Sequence, residues 1–114
     1  MAAVTLNLQD DYRIEQGSPF KVKITCKDAL GALYSLVEST CAAQIRPYVE
    51  SEDKISFTVS INTATSEITL SLSSTALDDI TYEAGVWDCE LTESNGDVIR
   101  LVEGDVEISL NVTR

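Results

Sequence analysis

The sequence contains no histidine, and this absence removes the side chain that most often acts as a general base or binds a transition metal. Hydrolytic triads built on histidine are therefore excluded. Paired carboxylates do not replace them, because a glycosidase also needs aromatic platforms for its sugar, and aromatic residues make up only 6% of the chain. No other reacting set of side chains can be named, so we predict that the protein is not an enzyme.

Basic residues are scarce as well. The chain has 8 lysines and arginines against 19 aspartates and glutamates, which gives a formal net charge of −11 at pH 7. A surface of this sign repels phosphate groups, so we expect neither nucleic acid nor a membrane surface as a partner, and basic protein surfaces fit better. No apolar run reaches the roughly 18 residues of a membrane helix, and no basic and apolar leader opens the chain. We expect a soluble, untargeted protein.

Only three cysteines are present, and Cys26, Cys41 and Cys89 cannot all pair within one chain. None has a neighbour at the short spacing typical of a zinc site. Cys26 and Cys89 are spaced like the cysteines of immunoglobulin domains, but there the tryptophan follows the first cysteine, whereas Trp87 precedes the second. We therefore expect three reduced thiols that pack as small core residues, in a protein made in a reducing compartment.

Oxygen ligands for a calcium ion occur in two acidic stretches. One is Asp78-Asp79, and the other combines Glu93, Asn95 and Asp97. Neither follows the twelve-residue calcium loop, and Asn-Gly-Asp is also what the tip of a hairpin requires. We therefore predict no metal site and no cofactor.

What the sequence does contain is alternation of apolar and polar residues with a period of two, which is typical of β-strands. The clearest strand is PFKVKITCK. Its apolar face holds Phe20, Val22, Ile24 and Cys26, and its outer face holds Lys21, Lys23 and Lys27. This strand thus places three of the few basic residues on one exposed face.

Further strands follow the same period. KISFTVSI and ITLSL are predicted to lie side by side, and TCAAQIRPYV is predicted to end at Pro47 with Arg46 facing outward. The N-terminal AVTLNL alternates in the same way. SSTALDDI is the best candidate for one short helical turn, because its serines and threonine can cap a helix.

The last quarter of the chain predicts a long β-hairpin with Asn95-Gly96 at its turn. The first strand directs Trp87, Cys89 and Leu91 to the core. The second strand is predicted to direct Val98, Val102, Val106, Ile108 and Leu110 to the core, and Glu103, Asp105 and Glu107 outward. Ile99 and Leu101 then fall on the acidic face, which favours a covering layer or a subunit contact, and Gly104 indicates a bulge or a close backbone approach.

Seven or eight short strands, with neither an internal repeat nor a linker, predict one domain over residues 1–114. The predicted fold is all-β, an antiparallel sandwich of two sheets with one short helical turn.

Four stretches resemble, in the same order, a family of small virion proteins of tailed bacteriophages. They are IEQGSPFKVKIT, CAAQIRP, ITLSLSSTAL and the terminal GVWDCELTESNGDVIRLVEGDVEISLNVTR. The residues that carry the resemblance are Gly85, Trp87, Glu90, Gly96, Arg100, Glu103 and Gly104. The family is similar to the immunoglobulin-like N-terminal domain of siphophage upper baseplate proteins, which fixes receptor-binding parts to the baseplate.

The resemblance implies a structural protein of the virion that is assembled in the host cytoplasm. It implies a tail or baseplate adaptor that binds other virion proteins and is a homo-oligomer in the particle. A capsid decoration protein is an alternative, since a small acidic sandwich would also suit a shell. A carbohydrate-binding module for host recognition is another, although Trp87, which would have to stack on the sugar, is predicted to face the core.

Two sets of residues are predicted to contact partners, because each breaks the pattern of a free acidic surface. One set is Ile99, Arg100 and Leu101, and the other is Lys21, Lys23 and Lys27. The variant Leu101→Asp is accordingly expected to fold as a monomer that no longer assembles.

Overall fold

Nine β-strands and no helix form the regular structure of residues 4–9, 13–28 and 30–112, which are the residues that the computed structural model describes. The strands are β1 (Val4–Thr5), β2 (Ile14–Glu15), β3 (Phe20–Thr25), β4 (Thr40–Arg46), β5 (Ile55–Ser56), β6 (Thr58–Asn62), β7 (Glu67–Leu72), β8 (Ala84–Thr92) and β9 (Val98–Ser109).

These strands form two sheets with a hydrophobic core between them. The larger sheet has the order β1-β9-β8-β4-β5, with β2 also paired to β9, and the smaller sheet has the order β3-β7-β6. Both sheets contribute fully buried side chains to the core, for example Ile45 and Ile108 from the larger sheet and Ile68 and Leu70 from the smaller. The predicted all-β sandwich of two sheets is confirmed.

The stretch KISFTVSI is divided between the two sheets rather than forming one strand. β5 pairs with β4 in the larger sheet, whereas β6 pairs with β7 in the smaller one. The chain changes sheets at Phe57, whose side chain is buried. This crossing adds a strand to the predicted number, and the antiparallel pairing of β6 with β7 confirms that these two segments are neighbours.

The C-terminal hairpin is formed by β8 and β9 and has the predicted turn. Trp87, Cys89 and Leu91 of β8 are all buried, as the alternation predicts. The Glu93 amide donates to the Asp97 carbonyl oxygen at 2.8 Å, and Gly96 has a φ of 92°. Glycine suits this left-handed position because other residues are strained there.

A β-bulge in β9 corrects the predicted facing of its first half. Cys89 pairs with Val102 and Glu90 with Arg100, so Leu101 is the extra residue on β9. Leu101 and Val102 are consequently both buried, and the core face shifts by one position across the bulge. The prediction that Val98 faces the core is therefore wrong: its side chain is 61% exposed.

The N-terminal segment lies against the outer edge of β9 and runs parallel to it. β1 pairs with Val102 and Glu103, and β2 pairs with Ile108 and Ser109. Gly104 allows this contact, because a Cβ there would collide with the carbonyl group of Leu6. Of the two predicted roles of Gly104, a bulge or a close backbone approach, the structure shows the backbone approach.

Residues 73–80 form successive turns, so the predicted helical turn is wrong. The amides of Ala76, Asp78 and Ile80 each donate to a carbonyl oxygen three residues earlier, and none of these bonds continues as a helix. The Gln16 side chain binds this segment, since its amide nitrogen donates to the Leu77 carbonyl oxygen at 2.8 Å. This bond links the segment to the residue that follows β2, which the sequence pattern did not indicate.

Candidate interaction surfaces

The predicted basic strand is β3, and its lysines are exposed. Lys21 and Lys23 project from the outer face of the smaller sheet, and Lys27 lies exposed just beyond the end of the strand. Lys23 Nζ is 3.7 Å from Glu67 Oε2, and 57% of the Lys23 side chain is accessible to solvent. Because an exposed ion pair of this kind contributes little, Lys23 remains available to a partner.

The rest of that outer face carries hydroxyl and amide groups. Among the strand residues of the smaller sheet, all of which are described, Glu67 is the one acidic residue. The neighbours of the lysines on this face are Thr25, Thr58, Ser60, Asn62, Thr69 and Ser71. The face is therefore positively charged, although the whole chain is strongly negative.

The second predicted contact set divides between the core and the surface. Leu101 is only 4% exposed and belongs to the core. Ile99 is half-buried and packs against the same core. Arg100 alone is exposed, and its guanidinium lies 3.6 Å from Asp88 Oδ2 and 3.2 Å from Glu103 Oε2. Of the three residues, only Arg100 is therefore accessible to a partner, and it lies among acids of its own sheet.

The outer face of the larger sheet is acidic. Its carboxylates on β8 and β9 are Asp88, Glu90, Glu103, Asp105 and Glu107. The pairing of Asp88 with Glu103 and of Val86 with Asp105 places these side chains in adjacent rows on one surface. This acidic face lies on the opposite side of the sandwich from the lysines of β3, so the structure does not bring the two predicted sets together.

A shallow depression of about 390 Å³ lies on the acidic face, between β4 and β9. Arg46 forms one wall, where its guanidinium donates to the Ser51 carbonyl oxygen and, at 3.1 Å, to Gln44 Oε1. Arg100 and Asp105 lie on the other side. The alternation in the sequence predicts that Arg46 faces outward. It does not predict the depression, which depends on the order of the strands in the sheet.

Two long strand edges of the smaller sheet carry no further strand in the described part of the chain. They are the outer edges of β3 and β6, because both strands pair only with β7. Each edge presents a row of backbone N–H and C=O groups that another extended chain can bind. The edge of β3 also carries the exposed lysines.

Trp87 is not a platform for a sugar. Its side chain is 3% exposed, and its ring packs in an edge-to-face arrangement with Phe57, with the ring centroids 6.0 Å apart. Its indole nitrogen donates to the Leu6 carbonyl oxygen at 2.8 Å. The predicted core position of Trp87 is confirmed. A carbohydrate-binding module would therefore have to stack its ligand on other side chains.

The acidic stretches considered for calcium form no cluster. Asn95 and Asp97 bond to each other within the hairpin turn, with the Asp97 amide donating to Asn95 Oδ1 at 2.9 Å. Across the described ranges, no group of three or more histidine, cysteine, aspartate or glutamate side chains is arranged to hold a metal ion. The same residues include no helix that is long and apolar enough to cross a membrane.

All seven residues that carry the family resemblance lie on the β8–β9 hairpin, where several have structural roles. Gly104 admits the N-terminal segment, Gly85 lies close to the backbone of Arg46, and Gly96 forms the turn. No protein-family model matches the chain, and no curated protein matches its sequence. The geometry of the two faces is therefore the main basis for a functional assignment.

Proposed function

We propose that this chain is a non-enzymatic structural protein of a bacteriophage virion, a tail or baseplate adaptor that binds other virion proteins through the two outer faces of its sandwich. The proposal rests on one observation, the opposite charge of these faces in a molecule with a net charge of −11. The resemblance to phage virion proteins, including an immunoglobulin-like baseplate domain, supports the choice of particle.

The two faces suit contacts between identical copies. The lysines of β3 in one copy would meet the carboxylates of β8 and β9 in the next copy. Such a contact joins two different surfaces, so it closes into a ring or extends as a filament according to its rotation. The uncovered edges of β3 and β6 add a second means of association, because a neighbouring chain can extend the smaller sheet there.

The assignment to a particle is tested on purified virions of the phage that encodes the chain. Mass spectrometry is expected to find the chain in many copies, and virions made without it are expected to lack distal tail structure in electron micrographs. Loss of stability of the head would instead favour the decoration protein. Absence of the chain from the virions would overturn the proposal.

The assignment to the two faces is tested with charge reversals. Lys21→Glu with Lys23→Glu is expected to abolish association of the purified chain at low salt, measured by light scattering. Lys54→Glu is the matched control, because Lys54 is exposed but lies outside both faces, between β4 and β5. Adding copies with Asp105→Lys and Glu107→Lys should restore association. If Lys54→Glu reduces association as much as Lys21→Glu with Lys23→Glu does, the face-specific contact is excluded.

A further inference from the structure

Two of the three cysteines lie side by side on the core face of neighbouring strands. Cys41 of β4 and Cys89 of β8 have their Sγ atoms 2.9 Å apart, joined by a hydrogen bond. The register pairs Cys89 with Ala43 and Cys41 with Leu91, so the two cysteines are diagonal neighbours across the ladder. The sequence gives no sign of this contact, because it depends on the register between strands 48 positions apart.

The two thiols differ in access and in acidity. Cys89 is fully buried, whereas Cys41 is partly exposed near the start of β4. The hydrogen bond from Cys89 lowers the pKa of Cys41. The same hydrogen bond and burial raise the pKa of Cys89. Because the thiolate is the reactive form of cysteine, Cys41 is the thiol that reacts first.

We propose that Cys41 and Cys89 form a disulfide that links β4 to β8 when the protein meets a small disulfide such as oxidised glutathione. The Cys41 thiolate attacks one sulfur of the small disulfide, whose S–S bond breaks and releases one small thiol. Cys89 then loses its proton and attacks Cys41 Sγ in the mixed disulfide, which releases the second small thiol. Two protein thiols are oxidised, and one small disulfide is reduced to two thiols.

Closing this bond needs little movement. A disulfide has sulfurs about 2.0 Å apart, so the two Sγ atoms must approach by less than about 1 Å. Both strands already lie in one ladder, and the link would join the start of β4 to the middle of β8. Cys26 is the competing thiol, since it is buried nearby in the same core, but it follows β3 of the other sheet.

The test uses the whole chain, treated with oxidised glutathione and then alkylated under denaturing conditions. The expected product has lost two hydrogen atoms and carries one alkyl group, on Cys26, and peptide mapping should find Cys41 joined to Cys89. Cys26→Ser should give the same link. The oxidised protein should melt about 5–15 °C higher than the reduced protein, and dithiothreitol should reverse the shift.

Three outcomes would overturn the proposal. They are three alkylated cysteines after oxidation, a stable mixed disulfide on Cys41, and a link between Cys26 and Cys89. All three are read from the wild-type chain, so they do not depend on the folding of a variant. As an added check, Cys41→Ser should lose the melting shift while keeping the β-sheet circular dichroism spectrum of the reduced protein.

Discussion

Leu101 shows at the residue scale how the bulge in β9 changes the expected effect of a substitution. Its side chain is 4% exposed, whereas the nearby Val98 is 61% exposed. Leu101→Ala should therefore reduce the free energy of unfolding by about 2–5 kcal/mol, because it leaves a cavity in the core. Val98→Ala should change it by less than about 0.5 kcal/mol. Urea unfolding of the two variants gives both values.

The same burial changes the expectation for Leu101→Asp. A carboxylate at this position would lie unpaired in the core, so we now expect an unfolded chain rather than a folded monomer that fails to assemble. Arg100→Glu is the informative alternative for a contact at this strand, because Arg100 is exposed. If Leu101→Asp keeps a native unfolding transition, the side chain is not in the core.

Tyr82 is a second residue with a specific consequence for stability. Its hydroxyl is buried and has no hydrogen-bond partner among the described residues. Tyr82→Phe should therefore leave the free energy of unfolding unchanged or raise it by up to about 1 kcal/mol. Tyr34→Phe is the matched control, because the Tyr34 hydroxyl donates to Glu93 and its removal should be destabilising. Similar losses in both variants would contradict this prediction.

Burial, with a smaller effect of Asp53, also raises the pKa of Tyr82. The folded protein therefore holds the phenolic proton more tightly than the unfolded chain does, in which tyrosine has a pKa of about 10. This stabilisation is therefore fully present below about pH 10 and is lost as the pH rises through the higher pKa of the folded state. Urea unfolding at about pH 11 should show a smaller alkaline loss for Tyr82→Phe than for the wild type.

At the scale of elements, the attachment of the N-terminal segment depends on one glycine. Gly104→Ala would place a methyl group against the Leu6 carbonyl group, which accepts the indole N–H of Trp87. The segment must shift, so we expect a loss of about 2 kcal/mol in stability and a red shift of the tryptophan emission. Asp105→Ala is the control, since its side chain is exposed. Unchanged emission would show that the segment is held elsewhere.

Period-two alternation is sufficient to predict the strands whose two faces meet different surroundings. β3, β7 and β8 have the facing that their sequences predict, because each has a core side and an outer side along its whole length. β9 departs from prediction at Leu101. The sequence shows a break in the alternation at Ile99 and Leu101, but only the register with β8 identifies that break as a bulge.

Pairing between segments far apart in the chain is the part of the fold that the sequence does not reveal. The parallel pairing of the N-terminal segment with β9 and the crossing at Phe57 both depend on contacts between segments far apart in the chain. By contrast, the lysine face of β3 is predictable from the sequence, because it depends on alternation within one strand. The acidic face, the depression beside Arg46 and the Cys41–Cys89 contact require neighbouring strands in register.

At the scale of the whole molecule, the excess of acids opposes folding, while the charge of the two faces would favour the association of copies that we propose. With 19 acids and 8 bases, most charges repel one another in the compact state. The exposed ion pairs of Arg100 offset little of this repulsion. Salt screens both effects, so it should stabilise the single chain and weaken contacts between copies.

Salt should therefore change the melting temperature and the association of copies in opposite directions, and one NaCl titration measures both. Raising NaCl from about 20 mM to about 500 mM should raise the melting temperature by about 3–6 °C, which corresponds to roughly 1 kcal/mol. The average mass from light scattering should fall over the same range. Lys54→Glu takes the net charge from −11 to −13, since one positive charge is replaced by one negative charge, and should enlarge the gain in melting temperature.

The direction in which each quantity changes with salt shows which interaction controls stability and which controls association. If the melting temperature falls with salt, attraction within the sandwich outweighs repulsion, and the ion pairs around Arg100 contribute more to stability than their exposure indicates. If the average mass rises with salt, apolar surface rather than charge drives association. The opposite response of stability and association would identify the unequal charges of the two faces as the cause of contact between copies.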